Sequence, residues 1–195
     1  MARVFLLSVL SLFPQAVLAH GQIEGLNDFY NGLLHPLWIP VHILVLLALG
    51  LFLGQQGPRR IQVALIATPT AIVAGLTGTL LIPAINIDVY LLIITIVLGL
   101  LIVIKPATAR LWCTVLAALA GLLVGLDSSQ ESLTGLSWLV SALGNLLGAC
   151  LLILYSMGLA DYCQGSLWKK TGVRVIGSWV TASAFLVLAL SRISS

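Results

Sequence analysis

Phe29-Tyr-Asn-Gly-Leu-Leu-His35-Pro36-Leu-Trp-Ile-Pro40-Val41-His42 runs on without a charge from Ile43 to Leu53. A bilayer crossing takes about 20 apolar residues, and the segment from 33 to 54 supplies them. At its mouth stand two of the chain's 3 histidines, with two prolines between them. An ionisable side chain at membrane depth is costly to hold, which makes both histidines functional candidates.

Composition points the same way. With 60% hydrophobic and 8% charged residues and a mean hydropathy of +1.14, the chain has too few charges to cover a water-facing surface. The sequence therefore predicts an all-α membrane protein. Its 195 residues suffice for one compact bundle with short connections, leaving little room for a separate soluble domain. The net charge of +3 reports topology before it reports a ligand, and no nucleic-acid partner is read from it. Cys113, Cys150 and Cys163 are far apart and lack paired metal-ligand spacing, so they read as packing residues.

Met1-Ala-Arg3, the apolar run Val4 to Phe13, and the small-residue ending at Ala19 have the layout of a secretory signal peptide. Residues 1–19 are read as a cleaved signal peptide and 20–195 as the transmembrane domain, with His20 as the first mature residue. Six spanning helices are expected, at about 33–54, 61–82, 87–105, 109–126, 136–158 and 173–191. Backbone groups in hydrocarbon must bond internally, and the alternation of a barrel strand is missing.

Arg59, Arg60, Lys105, Arg110, Lys169, Lys170 and Arg174 then fall on one side of the bundle. Glu24, Asp28, Asp88, Asp127 and Glu131 fall on the other, with Arg192 the only basic residue of the mature chain there. By the positive-inside rule the basic side is cytoplasmic and both mature termini are outside. Trp38 and Trp138, and Trp112 and Trp168, suit the two interfacial belts. Small residues recur at every fourth position in Ala71, Gly75 and Thr79, in Ala117, Gly121 and Gly125, and in Gly144 and Gly148, marking close helix contacts. Pro69, between Thr68 and Thr70, is expected to kink the second helix and free a carbonyl.

On an unbroken helix His35 and His42 would share a face about 10 Å apart, too far to hold one ion together. Pro36 and Pro40 make an irregular or kinked entry the expectation. Two readings stand: imidazoles that act as stations for a divalent transition metal, or polar groups satisfied locally at the interface and in the core. A mature N-terminal His20 would offer its α-amine and imidazole as a chelate. Asp88 and Asp127 read either as an acidic vestibule or as solvated caps, and Asn145 as a buried amide bonded to a neighbouring helix. No clustered acid and base, activated nucleophile or phosphate loop is found, so the chain is not read as an enzyme.

Phe29-x-x-Gly32-Leu-Leu-His35-Pro36-Leu, with His42 seven residues after His35, resembles the first-helix signature of the HupE/UreJ proteins. These membrane proteins are associated with hydrogenase and urease and are regarded as nickel or cobalt permeases. Ala19-His20-Gly21, Ile82-Pro83-Ala-Ile-Asn86 and Leu98-Gly99-Leu100 extend the likeness along the mature chain. The family's Asp before its second histidine is here Val41. Its fourth-helix pattern, Phe-His-Gly-x-Ala-His-Gly-x-Glu, aligns with Leu119 to Asp127, where Ala120 and Val124 replace both histidines and the acid survives. A Glu that the family tends to carry before its third helix falls at Asn86. The resemblance implies a bacterial inner-membrane protein that moves or handles Ni²⁺ or Co²⁺, with no permanently bound cofactor. His35, His42 and Asp127 are the candidate ligands, joined by His20. The alternative is an accessory subunit that keeps the fold without transporting, docked to a membrane partner or a second copy of itself.

Overall fold

The structure, a computed structural model, describes residues 25–81, 87–128 and 133–193. The signal segment, His20, Glu24, Asn86 and Glu131 lie outside the described residues, as do the side chains of Arg192 and Ile193. Among the described residues every regular element is helical: α1 (Asp28–Trp38), α2 (Pro40–Gln56), α3 (Pro58–Gly78), α4 (Asp88–Ile104), α5 (Arg110–Asp127), α6 (Gly135–Tyr162) and α7 (Leu167–Ile193), with a 3-10 turn at Cys163–Gly165.

The first expected span is two helices rather than one. Asn27 caps α1 by accepting a hydrogen bond from the Tyr30 amide at 3.1 Å. Pro40 has no amide hydrogen to give the Pro36 carbonyl, and its ring forces the preceding residue out of the helical region. Ile39 is accordingly extended, with φ −94 and ψ 112. The chain restarts as α2 with Pro40 in its first turn, and the two axes differ by 76°.

Helix α2 is the hub. It is apolar on all sides, as a helix surrounded by protein must be, and Val45, Leu46, Ala48, Leu49, Leu51, Phe52 and Leu53 are fully buried. It packs mainly against α6 and α4. Lipid is as apolar as leucine, so burial alone does little to join helices in a membrane, and close packing must hold them. The predicted small-residue stripes supply it. Gly121 and Gly125 of α5 lie on the backbone of α3 at Thr68 and Ile72, with Gly75 facing back. Gly144 and Gly148 of α6 lie on α1 at Phe29 and Leu33.

Among the described residues four helices are long and apolar enough to cross a membrane, α3, α5, α6 and α7, and the bent pair α1–α2 makes a fifth when taken as one span. The apolar α4, with 17 residues, is shorter. Helix α3 continues through Pro69, where the Thr68 hydroxyl donates to Ala64 O at 2.8 Å and Thr70 to Ile66 O at 2.9 Å. These bonds flank Leu65, whose carbonyl loses its amide partner to the proline, so the threonines do not take up the freed group.

Outward faces are apolar, with Ile66, Leu111, Tyr155, Trp179 and Phe185 exposed, which fits a lipid environment. Trp38, Trp112 and Trp168 are likewise exposed, whereas Trp138 packs on the core. An apolar groove of about 230 Å³ between α4 and α5 is lined by Tyr90, Ile93, Val97, Leu116, Leu119 and Leu123 among others.

From α2 onward successive helices alternate in direction. His42, at the start of α2, meets Asp127, at the end of α5, while at the opposite end Gln56 Oε1 accepts from the Thr108 amide at 3.0 Å. That second end carries the basic residues. Arg174 Nε donates to Val103 O at 2.6 Å, and Lys105 Nζ donates to Gln164 Oε1. Burial, with the charges of Lys170 and Arg174, lowers the Lys105 ammonium below its ordinary value. Asp161, near the end of α6, is the acidic residue that departs from the segregation of charge. The three cysteines are free, Cys113 being buried, in keeping with a packing role.

Candidate metal site

His42 sits in the first turn of α2, where Pro40 sets the direction in which the helix starts, and its side chain is fully buried. Its Nε2 lies 2.9 Å from Oδ2 of Asp127, the last residue of α5, whose side chain is 18% exposed. A carboxylate can only accept, so the ring donates through Nε2–H. The opposite nitrogen, Nδ1, is buried with no hydrogen-bond partner among the described residues. It therefore presents a lone pair to the interior when the ring carries a single proton. Carboxylates commonly hold metal-binding imidazoles in this way, fixing the tautomer and raising the basicity of the free nitrogen.

The bend between α1 and α2 brings in His35. Its ring centroid is 5.7 Å from that of His42, with the planes 64° apart. This corrects the spacing expected of an unbroken helix, because Ile39 turns α1 back across the mouth of α2. Gly32, one turn before His35, allows the close approach: a Cβ there would run into the backbone of Ser141 on α6.

Of the residues singled out in the sequence, His35, His42 and Asp127 are thus gathered at one end of the bundle, and His20 lies outside the described residues. Asp88 is exposed at the start of α4. Asn145 is 1% exposed, but among the described residues neither Nδ2 nor Oδ1 has a hydrogen-bond partner, so the expected bond to a neighbouring helix is not made there. The ion-pair geometry of His42 and Asp127 was not legible in sequence, because the residues stand 85 positions apart. Among the described residues no three or more His, Cys, Asp or Glu side chains converge as a closed metal cage.

Apolar helices of membrane length, with a buried histidine paired to a partly exposed carboxylate at one end of the bundle, define a helical membrane protein with a polar site. The chain belongs to the HupE / UreJ protein family, whose family model matches residues 7–187. That family is an accessory and transport family associated with nickel and cobalt handling. No curated protein and no solved structure matches the chain.

Proposed function

We propose that this protein moves or handles a divalent transition metal, nickel or cobalt, across the bacterial inner membrane. In this reading six helical passes, with α1–α2 and α4 counted among them, follow a cleaved signal peptide and place both mature termini outside. The family supports the class of cargo. The observation that carries the site is the 2.9 Å contact between His42 and Asp127, with His42 Nδ1 unpartnered among the described residues on the other side of the ring. Asp127 orients the ring and His42 Nδ1 takes the ion, with His35 beside it as a neighbouring station. Neutral imidazole nitrogen suits Ni²⁺ and Co²⁺, and a small donor set suits a route, because cargo held too tightly does not leave.

The segregation of Lys and Arg supports a cytoplasmic assignment for the end bearing Lys105 and Arg174. The site then lies toward the outer mouth, where an ion would arrive. Radiolabelled nickel and cobalt accumulation in cells carrying His42→Ala tests the reading: uptake is expected to fall to background at normal membrane insertion. Unchanged uptake would remove the site.

A further inference from the structure

Asn145 is the least explained polar group in the bundle. Both of its polar side-chain atoms are buried without a hydrogen-bond partner among the described residues, although a buried carboxamide in a native protein is nearly always satisfied. An amide that needs partners and lacks them in the protein marks a place for water or an ion.

Its position can be read from helix register. Gly50 of α2 lies on Ile153 and Ser156 of α6, and Gly54 lies on Met157 and Ala160, so the two helices run parallel in close contact. Asn145 belongs to the same buried stripe of α6 as Ala149, Ile153, Ser156 and Ala160. Two turns back from Ile153 toward the helix start is Asn145, and two turns back from Gly50 is His42. Both therefore stand at one level of the bundle. The fit of α6 to the other side of the site is equally close, since Gly144, adjacent to Asn145, lies against Phe29 and Leu33 of the helix that carries His35. At this level His42 Nδ1 and both ends of the Asn145 amide have no hydrogen-bond partner among the described residues.

We propose that Asn145 is a cargo-binding residue of the His42 site, its Oδ1 facing the cation directly or accepting from a water that the cation carries. This inference rests on the metal-handling reading of that site. A neutral amide oxygen adds a donor without adding charge, so it helps replace part of the cation's hydration while leaving the ion free to move on. It also offsets the small nitrogen set that this chain retains.

Co²⁺ titration of the purified full chain in detergent, followed by its visible absorption band, tests the proposal together with thermal unfolding of each variant. Asn145→Leu is expected to weaken Co²⁺ binding by about tenfold or more, with thermal stability kept or raised because an unsatisfied amide is removed. Asn145→Asp is expected to bind more tightly than the native chain, and His42→Ala to lose the band. If His42→Ala loses the band while Asn145→Leu and Asn145→Asp bind like the native chain, the role of Asn145 is overturned and the metal site stands. Native-like binding in His42→Ala overturns both. Should Asn145→Leu fail to fold, Asn145→Asp decides: native affinity and spectrum reject the proposal, and a tightened, shifted band upholds it.

Discussion

His42 donates through Nε2 to Asp127 Oδ2 at 2.9 Å, joining the first turn of α2 to the last turn of α5. The contact ties the hub helix to α5 at one end of the bundle and leaves the other ring nitrogen buried in the protein. In the proposed function Asp127 would act on a cargo ion through His42.

Asp127→Asn keeps an acceptor for the ring but removes the negative charge that strengthens its free nitrogen. Metal accumulation is expected to fall by about 10–100-fold, the usual cost of losing such a partner. Asp127→Ala should cost at least as much. Uptake normalised to inserted protein checks both, and native uptake in Asp127→Ala would count against the orienting role.

Pro40→Ala restores the amide that can bond the Pro36 carbonyl and relieves the restraint on Ile39. The 76° bend between α1 and α2 should relax and carry His35 away from His42. Spin labels on exposed positions of α1 and α2 would report the change in angle. Uptake is expected to drop in step, and an unaltered angle would assign the bend to the packing of α1 on α6.

Gly125→Val places a branched side chain where even a Cβ would meet Ile72 O and the backbone of Gly75. Overpacking of this kind costs about 1–3 kcal/mol, so thermal unfolding in detergent should shift down clearly. Gly158→Ala has open space around it and serves as the comparison, with an expected change within about 0.5 kcal/mol.

Orientation can be read with reporter fusions. A phosphatase reporter that works only outside the cytoplasm should be inactive when placed in the loop at Pro106 and active after Ser195. A fluorescent reporter that folds only in the cytoplasm should give the opposite pattern. Activity of the phosphatase at Pro106 would invert the topology and place the His42 site at the inner mouth.

Membrane residence and helicity were legible from composition and from the apolar runs, because a bilayer imposes a length and an internal hydrogen-bonding rule that any such segment must meet. The small-residue stripes on α3, α5 and α6 were legible for a similar reason: close helix contact requires the absence of side chains, and fourfold spacing repeats that absence on one face. The two prolines in the opening stretch announced a disturbance, but they could not set its angle.

The sequence by itself determined that this is an apolar helical chain with His35 and His42 at a helix entrance and a family signature around them. Tertiary structure decided the rest of the site. A 76° turn at Ile39 brought the two imidazole rings to 5.7 Å, and the register of α2 against α5 set Asp127 on His42. Local rules act over a turn or two of helix, whereas the meeting of residues 85 positions apart depends on how whole helices pack. The same packing left the Asn145 amide without a partner among the described residues, which periodicity alone had no means to reveal.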